Sequence, residues 1–303
     1  MISLIIPIDN NSKNIESNLS NIFNQTNKNF ALHILDASTS LEVKQIVNKF
    51  DFNTLKNVIY TKVNNISSLH LFYDDIIKNT QNKYIYFGNN NSIIPTEFVE
   101  SISKAGASDV IICGNVKSNI TIKKEELKKV ESYITPILCD KIFSINFLKT
   151  NEIYFHNNDY MSIIFLYKTI AKCNSITVIK SSIKNMYQDL YMSLANFAQM
   201  YNELIVNYQE SKFWKQNEEL INELLIFYTF IYIYNIFLYD KKSIKRNITL
   251  TYIEKYLSKK NINWRKNKKL EYIDKILEKK LSKLIEEFDF SDDKAKKLNL
   301  YLK

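Results

Sequence analysis

The segment KYIYFGNNNSIIP, residues 83–95, decides how this chain folds. Its opening, KYIYF (83–87), is a short apolar and aromatic run of the length a buried strand needs. Gly88 and three consecutive asparagines, Asn89, Asn90 and Asn91, end that run. Pro95 then opens a helix, at a position where its missing N–H costs nothing. Strand, polar loop and helix in succession make part of a β-α-β unit, and the same succession recurs on both sides.

Upstream, ISLIIPI (2–8) is a continuous apolar run, as expected of a strand covered on both faces. A polar break at 10–14 follows, and then Ile15, Leu19, Ile22 and Phe23 recur at helical spacing. FALHIL (30–35) and NVIYT (57–61) read as the next strands, and residues 67–78 as a helix with Leu69, Phe72, Tyr73 and Ile76 on one side. Downstream, DVIICGNV (109–116) and SITVIK (175–180) read as strands, with helices over 139–150 and 159–172. From about residue 188 the pattern is helical almost to the end, with no internal repeat. The reading is an α/β fold: a mixed, mostly parallel, Rossmann-like sheet with helices on both faces, then an all-helical appendage. The expected domains are 1–190 and 191–303. Ligands of such sheets bind outside the carboxyl ends of the strands, here 7–10, 35–40, 62–65 and 88–92.

With 303 residues, 46% of them hydrophobic, the chain can bury a sizeable core, and only three Gly and three Pro argue against an all-β sandwich. Cys113, Cys139 and Cys173 are widely spaced and form no C-x-x-C pair, so they read as buried reduced thiols of a cytoplasmic protein. Three scattered histidines, His33, His70 and His156, do not make a His-rich metal site. Pro7 and Asp9 interrupt the first apolar run too early for a signal peptide. The longest apolar stretch, residues 224–239, is rich in Tyr and falls short of the roughly 20 residues of a spanning helix. It reads as a buried helix, with an interfacial helix and, after that, a membrane span as the alternatives.

Charge is uneven. Residues 241–303 hold 19 Lys/Arg against 9 Asp/Glu, which leaves 22 against 23 for the first 240 residues. The basic tail suits an anionic membrane surface or an acidic partner, or is simply a solvated face. Basic helices without a reading motif do not point to nucleic acid, and none is expected as a partner.

At the loop residues the sequence resembles the family-2 glycosyltransferases, nucleotide-sugar enzymes of the GT-A fold. ISLIIPIDNNSKNIESNLSNIFNQTNKNF (2–30) is similar to the family's P-V-Y-N strand end, S-I-L-N-Q-T helix end and following strand. LDAST (35–39) falls on D-D-G-S-T, YFGNNNSIIPTEFVE (86–100) on F-x-D-x-D-D-x-x-x-P-x-F, and CDKIF (139–143) on N-K-L-F ahead of an E-D pair. NINWRKNKKLEY (261–272) is similar to the tails of bacterial surface-polysaccharide members. The resemblance implies an inverting transfer of sugar from a nucleotide sugar, a UDP-sugar first among them, to a glycan or glycolipid acceptor. It places the donor at Pro7, Ile8, Asn10, Asp36, Asn89, Asn90 and Asn91. A cytoplasmic enzyme, peripheral to the inner face of the membrane, would follow.

Three departures fall on the chemistry. The family's D-x-D acids hold Mg²⁺ or Mn²⁺ against the diphosphate, and Asn89 and Asn91 bring no charge to those places. Metal dependence is therefore expected to be weak or absent. Leu35 replaces the first acid of D-D-G-S, leaving Asp36, and Tyr73 stands where S-x-A-R-N has its Arg. Asp159 matches the acid of the E-D pair that serves the family as catalytic base, and it would also cap the helix that follows. The alternative to an enzyme is a catalytically degenerate GT-A-like domain that binds sugar or serves a partner as scaffold.

Overall fold

The computed structural model describes residues 1–10, 12, 14–64, 68–89, 91–130, 133–135, 137–155, 161–181, 183–184, 203–204, 206–226 and 229. The chain divides into two compact units, Met1–Asp189 and Leu190–Lys303.

The first unit is built on an eight-stranded sheet. Its strands are β1 (Ile2–Ile8), β2 (Phe30–Asp36), β3 (Val58–Lys62), β4 (Tyr84–Phe87), β5 (Val110–Gly114), β6 (Ile120–Lys123), β7 (Lys141–Ser144) and β8 (Ser175–Lys180). They lie in the order β3-β2-β1-β4-β7-β5-β8-β6. β1 pairs in parallel with β2 and β4, β2 with β3, and β5 with β8. β7 runs antiparallel to both β4 and β5, and β6 antiparallel to β8. Six strands therefore share one direction and two are reversed. This is the mixed, mostly parallel sheet expected.

β1, β2 and β4 are buried at every residue, which is why their sequences show no alternation. Helices α1 (Ile15–Phe23), α2 (Leu41–Val47), α3 (Leu69–Asn79) and α4 (Phe98–Ser103) make the connections among β1 to β5. Neighbours along β4 show how the two faces are covered. Tyr86 meets Phe98 of α4, with ring centroids 4.8 Å apart. Phe87 points the other way, to Tyr73 of α3 at 5.0 Å and to Phe165 of α6 (Met161–Lys172) at 5.9 Å. Phe143 and Phe155 complete that second cluster.

The helix expected over 139–150 is a strand followed by a helix. Lys141–Ser144 inserts between β4 and β5, and only Ile145–Thr150 is helical, as α5. Ser144 makes the change, its hydroxyl accepting the Phe147 N–H at 3.3 Å as an N-cap. The helix expected at Pro95 starts at Phe98, since Pro95 to Glu97 form a turn closed by the Phe98 N–H on the Pro95 carbonyl. All three cysteines are buried thiols outside any disulfide, as read from their spacing.

In the second unit α7 (Lys212–Gln216) is capped by Ser211, which accepts from the Trp214 N–H, and residues 218–226 are helical. Most of the 224–239 stretch and all of the basic tail lie outside the described residues. Among the described residues no helix is long and apolar enough to cross a membrane.

Candidate functional site

The sheet reverses its strand order beside β1: β2 and β3 are laid down on one side of it, and the chain then crosses to place β4 on the other. Such a switch point opens a crevice at the carboxyl ends of the strands. Register sets its floor: Pro7 pairs with Leu35, Ile8 with Asp36, Asp36 with Lys62, and Ile5 with Phe87. Pro7, Ile8, Asp36, Lys62 and Asn89 thus lie along one edge of the sheet. Asn90 and Asp159 lie outside the described residues.

Three loops rise from this edge and are tied to each other by asparagines. The Asn10 side-chain oxygen, Oδ1, accepts the N–H groups of Thr39 and Ser40 at 2.7 and 2.9 Å, and its side-chain amide donates to the Thr39 hydroxyl at 3.0 Å. This fastens the β1 loop to the β2 loop. On the other side the Asn14 amide donates to the Asn91 carbonyl at 3.0 Å, fastening the β1 loop to the loop after β4.

That contact begins a ladder along α1. Asn18 accepts the Ile94 N–H, Asn21 donates to the Ile94 carbonyl, and Gln25 donates to the Pro95 carbonyl while accepting the Val99 N–H. Ile93 is held from the opposite side by a two-bond bridge to Lys184. The backbone of 91–95 is therefore anchored by the side chains along α1 and by the Ile93–Lys184 bridge, and not by a strand of the sheet. The sequence reading missed this ladder, although amides at 14, 18, 21 and 25 recur at helical spacing and were its signal. Gly88 lets the loop start close to β1: a Cβ there would sit 2.9 Å from Ile6 Cδ1 and 3.1 Å from the Ile5 carbonyl oxygen.

Within the loop, the Asn89 side-chain oxygen accepts the N–H groups of both Asn91 and Ser92, and its amide donates to the buried Cys139 sulfur at 3.3 Å. Asn91 is buried, and its N–H and carbonyl are both engaged. At Asn89 the oxygen that would ligate a divalent cation already closes the loop. Among the described residues no group of three or more His, Cys, Asp or Glu could hold a metal ion.

At the end of β2, Asp36 is 3% exposed. Its Oδ1 accepts the Ser38 N–H at 2.8 Å and the Ser38 hydroxyl at 2.6 Å, and its Oδ2 accepts the Tyr60 hydroxyl and, at 3.0 Å, the Lys62 ammonium. Burial pushes the carboxyl upward, but the bonds from Ser38, Tyr60 and Lys62 outweigh it and hold it below its ordinary value. Burial, with the charge of Asp36, holds the Tyr60 phenol well above its ordinary value. Tyr73 lies in the Phe87–Phe155 cluster, so the place of the family's Arg is taken by a ring of the core. One helical step on, the Asp74 carboxylate accepts the Phe155 N–H at 2.7 Å.

No known protein family and no curated protein matches this sequence. Solved structures do. Residues 1–349 of S. aureus TarS in complex with UDP-GlcNAc superpose with a TM-score of 0.60 at 18% identity, covering 82% of this chain and 79% of that one. The mannosyltransferase PcManGT from Pyrobaculum calidifontis, in complex with GDP-Man and Mn²⁺, gives 0.50 at 11% identity, over 84% and 80% of the two chains. The likeness is one of fold. It covers most of the chain, and it bears out the GT-A-like sheet that the loop motifs implied.

Proposed function

We propose that this chain is a glycosyltransferase that moves a sugar from a nucleoside-diphosphate sugar to a glycan or glycolipid acceptor, with inversion. The observation that carries this reading is the set of polar loops at the carboxyl ends of β1, β2 and β4, at the switch point of a fold similar to proteins solved with UDP-GlcNAc and GDP-Man. Asn10 and Asn14 hold its three loops in place before any ligand arrives. On this reading Asp159 is the base that takes the proton of the acceptor hydroxyl as the sugar is transferred. The basic tail would hold the protein at the inner face of an anionic membrane, where a glycolipid acceptor lies.

A second reading, a degenerate GT-A-like domain that binds sugar or a partner without turnover, is favoured by one observation: Asn89 and Asp36 both spend their acceptor oxygens on their own chain. A panel of UDP, UDP-GlcNAc and GDP-Man, tested by thermal shift with and without Mn²⁺, separates the readings. A ligand of the folded state at 100 times its Kd stabilises it by about 2.7 kcal/mol. Stabilisation without Mn²⁺, together with donor hydrolysis or transfer, supports the enzyme; no stabilisation by any of them refutes it. Asp159→Asn should lower turnover by on the order of 100-fold or more in an enzyme. In a scaffold it should alter helix capping by less than about 1 kcal/mol. Tail binding to anionic vesicles should fade with salt, since exposed charges are screened beyond about 8 Å at physiological ionic strength.

A further inference from the structure

The polar groups at the ends of β2 and β3 carry an inference that rests on the nucleotide-sugar reading and deepens it. In doubly wound sheets an acid near the end of the second strand accepts a hydrogen bond from the ribose of a bound nucleotide, which puts the nucleoside beside this strand end. Asp36 stands at that place with its acceptors already used. A carboxylate offers about four lone-pair sites. The Ser38 N–H, the Ser38 hydroxyl, the Tyr60 hydroxyl and the Lys62 ammonium take them.

The group that faces outward is Lys62. Its ammonium spends one N–H on Asp36 and one on the Ser38 carbonyl, and among the described residues its remaining N–H is uncommitted. The side chain is 57% exposed, against 4% for that of Asp36. The strand ends therefore present a donor where an acceptor would be expected.

We propose that Lys62 is the specificity-determining residue for the nucleobase, and that the crevice reads a base by its acceptor atoms and not by the N3–H of a uracil. The uracil edge places N3–H between two carbonyls, and that N–H finds no acceptor on a closed Asp36. Cytosine places its O2 and N3 acceptors side by side, where one ammonium can serve them. CDP is therefore bound at least as tightly as UDP. Removing the ammonium has two effects: it takes away the donor, and it frees Asp36 Oδ2 to accept.

The test is calorimetric titration of the full chain with CDP, UDP and pyrophosphate, for wild type, Lys62→Met and Lys62→Arg. The wild type is expected to bind CDP at least as tightly as UDP. Lys62→Met should weaken CDP by about tenfold or more, the worth of a charge-assisted hydrogen bond. It should leave pyrophosphate within about twofold, and should move the CDP-to-UDP preference toward UDP. Lys62→Arg, which keeps a donor, should keep the wild-type order. A wild type that prefers UDP by tenfold or more overturns the inference and leaves the nucleotide-sugar reading standing. Pyrophosphate weakened as much as CDP overturns it too, because the ammonium would then be reading phosphate. No binding of UDP or CDP removes the nucleotide-sugar reading and this inference together.

Discussion

Replacing Asn89 by alanine deletes one oxygen on which two backbone N–H groups depend, those of Asn91 and Ser92. Ser92 is fully buried and Asn91 is 4% exposed, so water cannot readily replace the lost acceptor. An unsatisfied buried donor costs about 1–3 kcal/mol. For two of them, with some relaxation of a loop at the sheet edge, the loss expected for Asn89→Ala is about 2–4 kcal/mol. Asn89→Asp keeps the oxygen and strengthens both bonds by its charge, while losing the amide bond to Cys139 and bringing the charge near that buried thiol. These effects oppose each other, and the net change expected at pH 7 is within about 1 kcal/mol. The assay must report on the first unit. Both tryptophans, Trp214 and Trp264, lie in the second. Urea unfolding should therefore be followed by circular dichroism, with hydrogen exchange measured on the 88–95 segment. Exchange at residues 91 and 92 should accelerate in Asn89→Ala and stay slow in Asn89→Asp. Unchanged exchange and an unchanged midpoint in Asn89→Ala would refute the loop closure argued above. So would an Asp variant as damaged as the Ala one.

The pair Asp140–Lys141 is almost completely buried, with Lys141 Nζ 2.6 Å from the carboxylate, 2.7 Å from the Ile137 carbonyl and 3.0 Å from the Thr135 hydroxyl. Lys141→Met, which strands Asp140, should cost about 3–5 kcal/mol in chemical denaturation, and adding Asp140→Asn should return part of it. Gly88→Ala forces its Cβ against Ile6 and the Ile5 carbonyl and should cost about 1–3 kcal/mol, read as a lower urea midpoint. Burial holds His33 below its ordinary value of 6.5, so below that pH the unfolded chain takes up a proton that the folded one refuses. Stability is then full above 6.5 and falls as pH drops toward the folded value, with a slope of at most about 1.4 kcal/mol per pH unit, and His33→Gln should flatten that decline.

Strands buried on both faces were legible because an apolar run bounded by turn residues has few other readings. β1 and β8 begin and end at the residues where their runs do. β7 was not legible. A strand of four residues beside a helix has no period of its own, and KIFS followed by INFLKT merges into one apolar stretch. At the site, the sequence located the loops but not what engages them. Asp36 is closed by Tyr60 and Lys62, 24 and 26 residues away, and Asn91 is held by Asn14 at a separation of 77. Contacts of that reach leave no local pattern. The amide spacing along α1 was visible, but an amphipathic helix has many uses for polar residues on one side. Only the fold shows that this side meets the backbone of the loop.

β7 also bears on the order in which the protein can be assembled. Within the sheet, all pairing between β1–β4 and the β5, β8 and β6 group passes through its four residues, Lys141–Ser144. A nascent chain can join β1, β2, β3 and β4 as they emerge, each crossover closing on a neighbour already made. It then holds an open β4 edge while residues 88–140 are synthesised, about 3–10 s at typical elongation rates. During that interval the exposed edge is Tyr-Ile-Tyr-Phe, a short apolar template of the kind that recruits stray strands. β7 carries Lys141 at the start of its run. By the time β7 emerges β4 and β5 are both made, and a buried lysine disfavours any pairing of this strand that does not also supply the Asp140 carboxylate and the acceptors of residues 135 and 137.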